Sequence, residues 1–185
     1  QEGFIFDEIG NANDENDWTF SFIEPLFDKI KLELDYELNE YDIFGHSGGA
    51  QFVHRFVFFK PLSRLNRAIS ANAGWYTIPN QSINYPYGIF NTTLNNNDLE
   101  NFFSHKLIIH IGTNDNNPND PSLRKTPEAN EQGLNRFERA LYFFSESDSI
   151  CNSKNYTYNW EIYQVENVGH NHNLMASYAA TFLYQ

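Results

Sequence analysis

A serine set among glycines is the first feature of this sequence that carries chemistry. Gly45-His46-Ser47-Gly48-Gly49 follows a short strand-like run, Tyr41-Asp42-Ile43-Phe44. It precedes Ala50, Val53, Phe56 and Val57, which recur at helical spacing. A G-x-S-x-G turn needs that strand-to-helix context, and its glycines let neighbouring backbone approach without a Cβ clash. The turn lifts the serine hydroxyl above the carboxyl end of a sheet, with a helix N-terminus behind it to stabilise negative charge. A hydroxyl is a poor nucleophile unless a base takes its proton, and the base needs a carboxylate to orient it. Both types follow downstream, each after a strand-like run: Gly112-Thr113-Asn114-Asp115 after 106–111, and Gly169-His170 after 156–165. Ser47, Asp115 and His170 are thus expected on loops along one sheet edge, where open α/β sheets place their sites. Asp120 and Asp98 are rival carboxylates, and His172 is a rival base.

The elements that must position these residues are legible from periodicity. Ser21-Phe22-Ile23-Glu24 has the pattern of a capping box, and apolar residues at 23, 26, 27, 30 and 34 predict a helix, with Pro25 in its first turn. The acidic, Asn-rich stretch 7–18 reads as an irregular surface segment. Strands are expected at 41–44, 65–71, 106–111 and 156–165, with a helix at 48–59. Thr126-Pro127-Glu128 signals a helix start that Leu134, Phe137, Leu141 and Phe144 continue. A last helix is expected over 173–182. The stretch 76–104, rich in Pro, Tyr, Asn and Gly, reads as a loop excursion or lid. Repeated strand–helix alternation predicts an α/β fold, a parallel sheet with flanking helices, in one domain over 1–185.

Composition narrows the function classes. The chain has 185 residues and a formal charge of −12, which argues against nucleic acid or an anionic membrane as partner, since both require a basic surface. No apolar run approaches the roughly 20 residues of a membrane-spanning helix. One cysteine, Cys151, allows no intramolecular disulfide, and no base signal lies near it. The first ten residues carry three acidic groups and no basic region, so they are not an intact signal peptide. A cytoplasmic location and export after signal removal both stay open. Sequons at Asn80, Asn91 and Asn155 are what chance gives in so Asn-rich a chain. His170 and His172 supply too few ligands for a metal, and no cofactor is implied.

The stretch Gly45–Phe56, together with Asn72-Ala73-Gly74-Trp75-Tyr76, Asn119-Asp120-Pro121, Thr126-Pro127-Glu128-Ala129 and Val168-Gly169-His170, resembles the α/β-hydrolase superfamily. The likeness is to its esterase and polyester-depolymerase-like serine hydrolases, and it covers most of 18–185. The resemblance implies Ser47 as nucleophile, Asp115 as acid, His170 as base and the backbone N–H of Gly48 as an oxyanion donor. The substrate would be a small or polymeric ester. His46, Trp75 and Tyr76 can line its pocket, although His46 and His54 also read as structural and the two aromatic residues as core. The family pattern puts more strands ahead of the elbow than 46 residues hold. The chain therefore reads as an N-terminally truncated core, with a partner chain or further N-terminal segment covering the edge at 41–44. A different class of function is a hydrolase-like subunit that binds or scaffolds within a larger assembly without catalysing.

Overall fold

The computed structural model describes residues 2–184. Four parallel strands, β1 (Tyr41–His46), β2 (Leu65–Ala71), β3 (Lys106–Gly112) and β4 (Glu161–Val165), form one sheet in the order β1-β2-β3-β4. The chain is an α/β fold with flanking helices. Each crossover carries a helix, namely α2 (Gly48–Phe59), α3 (Asn96–Ser104) and, after the short α4 (Pro127–Glu131), α5 (Arg136–Ser153). Right-handed crossovers that advance in one direction place their helices on one face. The strand side chains show the two faces. Ala68, Leu107, Ile109 and Ile111 join α2, α3 and α5 in the main core, whereas Ile69 and Ile108 pack with Ala179 of α6 (His172–Leu183) on the opposite face. Covering on both faces explains why β3 is apolar without alternation.

Aromatic residues fill the main core. Phe58 and Phe102 stack at 3.5 Å between ring centroids, Trp160 meets Phe102 edge-on at 4.5 Å, and Tyr76 stacks on Phe143 at 4.4 Å. The first helix, α1 (Ile23–Leu34), lies beside the β1 edge, and Phe27 is its one buried residue. Among the described residues no helix is long and apolar enough to cross a membrane.

Several boundaries differ from expectation for identifiable reasons. Ser21 does not cap α1, because its hydroxyl donates to the Glu15 carbonyl in a preceding 3-10 turn. Glu24 instead binds Arg64 and Tyr41. The 7–18 segment is not wholly superficial: Trp18 is buried edge-on against Phe59, and Phe20 beyond it stacks on the same ring. The run 126–144 is two helices. Gly133 adopts φ 140°, and Asn135 caps α5 through Glu138 N–H. The alternation 156–165 pairs only from Glu161, since Tyr158 and Trp160 turn into the aromatic core. The 76–104 excursion is packed down. Its buried start runs from Tyr76 to Ile78, Tyr85 donates to the Glu2 carbonyl, and the last nine residues are α3.

At β3 the backbone meets the β4–α6 loop so closely that residue 112 must be glycine. A Cβ there would lie 2.2 Å from the Val168 carbonyl oxygen. Gly112→Ala should therefore lower the unfolding free energy by about 1–3 kcal/mol, read as a lower urea midpoint at unchanged slope. A second expectation concerns acid. His110 on β3 is 1% exposed, and burial pushes its pKa down to about 4. The unfolded state binds that proton near pH 6.5, so stability is full above that pH and is lost as the pH falls toward 4. Urea unfolding should weaken between pH 7 and 5, and His110→Leu should flatten that slope.

Candidate active site

The carboxyl ends of all four strands deliver the polar residues of one edge. Ser47 follows β1 and forms the N-cap of α2 with φ 56° and ψ −114°, a conformation that costs an L-residue about 1–3 kcal/mol. The turn is held by Ser47 N–H donating to the Ala71 carbonyl at 2.9 Å. It is tight enough that a Cβ on Gly45 would sit 2.3 Å from the Gly49 carbonyl oxygen. Gly48 is the first residue of α2, where a backbone N–H has no acceptor within the helix.

The structure brings Ser47, His170 and Asp115 together in a line. His170 Nε2 lies 3.0 Å from Ser47 Oγ, and His170 Nδ1 lies 2.7 Å from Asp115 Oδ2. With a carboxylate at Nδ1, that nitrogen carries the proton and Nε2 is free to accept from the serine. Asp115 is 4% exposed, whereas Ser47 and His170 are half-buried at the surface of the edge.

Two residues outside the expected set complete the arrangement. Asn72, after β2, adopts φ 52°. Its side-chain amide donates to Asp115 Oδ2 at 2.7 Å and to the Gly169 carbonyl at 3.1 Å, while its oxygen accepts from Gly112 N–H. Arg136, the first residue of α5, donates to Asp115 Oδ1 at 3.2 Å. The sequence signals for Asn72 are its place at a strand end and in the Asn72–Tyr76 stretch that carries the resemblance, neither of which gives it a role, and Arg136 has none.

The rivals are placed elsewhere. Asp120 binds Arg136 and Ser122, which hold its carboxyl well below the usual range. Asp98 completes a capping box at the start of α3. The His172 ring lies 5.4 Å from that of His46 and not on Ser47. His46 itself packs 4.6 Å from the His170 ring, and burial together with its two imidazole neighbours holds its pKa down at about 4. His54 is fully buried. Its Nε2 accepts Thr77 N–H, so Nδ1 donates to the Ala50 carbonyl and the ring is structural. Trp75 and Tyr76 do not wall an open pocket. Trp75 is covered by Arg55 and Arg124, whose guanidinium carbons lie 4.1 and 4.7 Å from its ring. Tyr76 is wholly buried, stacked on Phe143 and gripped at its backbone by Gln132. Both rings belong to buried packing, as their alternative core reading expects.

No protein-family model matches the chain, and no curated protein sequence matches it. Solved structures do. Poly(aspartic acid) hydrolase-1 from Sphingomonas sp. KT-1 is 36% identical and superposes with a TM-score of 0.97, over 99% of this chain and 69% of its own. LpqC, a poly(3-hydroxybutyrate) depolymerase from Bordetella parapertussis, is 26% identical with a TM-score of 0.93, over 99% of this chain and 62% of its own. An IroE-like serine hydrolase from Shewanella oneidensis, 14% identical with a TM-score of 0.53, covers 94% of this chain and 52% of its own, and shares the fold. With an elbow serine, an α/β sheet and a relative at this level of identity, the chain belongs to the α/β-hydrolase superfamily, among its esterase-like hydrolases.

Proposed function

We propose that the chain is a serine-dependent hydrolase of carboxylic esters, small or polymeric. The observation that carries the reading is the unbroken line of hydrogen bonds from Ser47 Oγ through His170 to Asp115. His170 takes the Ser47 proton as the oxygen attacks the acyl carbon. Asp115 holds the imidazole in the tautomer with Nε2 free and stabilises the imidazolium that forms. Negative charge on the substrate oxygen is met by the Gly48 N–H and by the positive end of α2. His170 then protonates the leaving alcohol, and water repeats the sequence on the acyl-enzyme.

The same machinery cleaves amides, and the relatives make that a second reading. One is named for poly(aspartic acid), a polymer joined by amide bonds, and the other for poly(3-hydroxybutyrate), joined by ester bonds. Esters are favoured because an ester carbonyl is less resonance-stabilised than an amide carbonyl and its leaving oxygen depends less on protonation than an amide nitrogen does.

A fluorophosphonate probe should label the intact protein at Ser47, located by peptide mass spectrometry. Ser47→Ala should abolish the labelling and lower the turnover of an activated acetate ester by at least about 10⁴-fold. Labelling elsewhere, or turnover retained by Ser47→Ala, overturns the reading. Comparing release from short 3-hydroxybutyrate and aspartate oligomers decides between ester and amide.

A further inference from the structure

Asp115 is gripped by an element that the reaction above leaves unused. One terminal nitrogen of Arg136 is shared between Asp115 Oδ1 at 3.2 Å and Asp120 Oδ2 at 3.1 Å, and the other donates to Ser122 Oγ at 2.8 Å. Next to it, Phe137 N–H donates to the Asp115 carbonyl at 3.1 Å. The first turn of α5, an 18-residue helix, thus holds both the carboxylate and the main chain of Asp115. The Arg136 side chain is 2% exposed and that of Asp115 4%, so water screens this pair little. A guanidinium keeps its proton at any working pH. The Asp115 oxygen opposite the one facing His170 therefore meets a permanent positive charge.

We propose that Arg136 is a positioning residue of this site and that the Arg136–Asp120 pair sets the basicity of His170. The proposal rests on the reading of Ser47, His170 and Asp115 given above. Asp115 favours the imidazolium form of His170. Arg136, on the far side of the carboxylate, offsets part of that field, and Asp120 offsets part of Arg136. The two charges beyond Asp115 thus act on His170 with opposite signs.

The other groups around His170 do not reproduce this pattern. Ser47 faces Nε2, and Asp115 with Asn72 lies on the Nδ1 side. His46, at the end of β1, is already neutral above about pH 4. His172, at the start of α6, faces His46 and is unchanged in the variants considered. A shift common to all variants would come from these neighbours, whereas shifts of opposite sign come from Arg136 and Asp120.

The test is the pH dependence of kcat/KM on an activated acetate ester for the full chain and for Arg136→Gln, Arg136→Lys, Asp120→Asn and Ser47→Ala. NMR titration of the His170 ring supplies the same midpoint without substrate. The base must be neutral to act, so the acidic limb reports its pKa. Removing the positive charge in Arg136→Gln should raise that midpoint by about half to one pH unit, with roughly a ten- to hundredfold loss on the plateau. Asp120→Asn should lower it by a few tenths of a unit, and Arg136→Lys should return it close to the parent value. Unmoved midpoints, or midpoints that move the same way in Arg136→Gln and Asp120→Asn, overturn the proposal and leave Arg136 a packing residue. If Arg136→Gln does not fold, the downward shift in Asp120→Asn decides alone. Turnover retained by Ser47→Ala fails the reading of the site, while an inactive Ser47→Ala with unmoved midpoints fails only this proposal.

Discussion

A carboxylate taken out of water costs several kcal/mol unless charge and hydrogen bonds replace its hydration. Asp115 is such a group, and much of the sheet edge is built to meet that cost. Its partners come from widely separated parts of the chain: Asn72 after β2, Arg136 at the start of α5 and His170 in the β4–α6 loop. Asn72 reaches because parallel pairing brings Ala71 beside His110, two residues before the end of β3, so that Asn72 lies alongside the last residues of that strand and binds the His110 carbonyl and Gly112 N–H. The β4–α6 loop reaches because Gly112 has no side chain to hold it off. Removing any one partner would leave the others facing an under-compensated charge.

The second constraint is conformational. Ser47 and Asn72 each sit at positive φ at a strand end, and neither is glycine. Strain of this kind persists only where surrounding structure over-determines it. Here the restraint is visible. Ser47 N–H is tied to Ala71, the residue before Asn72, and α2 behind the serine is buried along most of its length. The packed rings of Phe58, Phe102, Phe143 and Trp160 fix α2, α3 and α5 against the sheet. The aromatic core thus supplies rigidity where the backbone of the edge is least relaxed.

The pattern of residues carried the strand positions and the elbow because both depend on short-range spacing. Helix α2 begins and ends where Gly48 and the run before Pro61 place it. Boundaries failed where a tertiary contact outweighed local periodicity. Trp160 continues the alternation of its neighbours, yet its ring is taken by Phe102 and Phe143, and the ladder starts one residue later. Thr126 and Phe144 fit one helical period, but the turn at Gly133 divides them. Arg136 was illegible for a different reason. It lies 21 residues from Asp115, and an arginine on a helix in an acidic chain looks like a solvated face until the fold buries it.

Net charge is a poor guide to the field at this edge. The chain carries −12 overall, which bears on solubility and on which polyanions it approaches. Yet the wholly or nearly buried charged groups behind the edge are mainly cationic: Arg55, Arg136 and Arg139, with Asp115 as the buried anion among them. Arg139 donates to the Gly74 carbonyl at 2.6 Å and Arg55 to Thr77 at 2.8 Å, so these charges brace the segment that follows β2. The acidic surplus lies mostly on exposed side chains, where water and salt screen it. The buried charge of this negatively charged protein is thus mainly positive, and burial, more than net charge, sets which charges act with little screening.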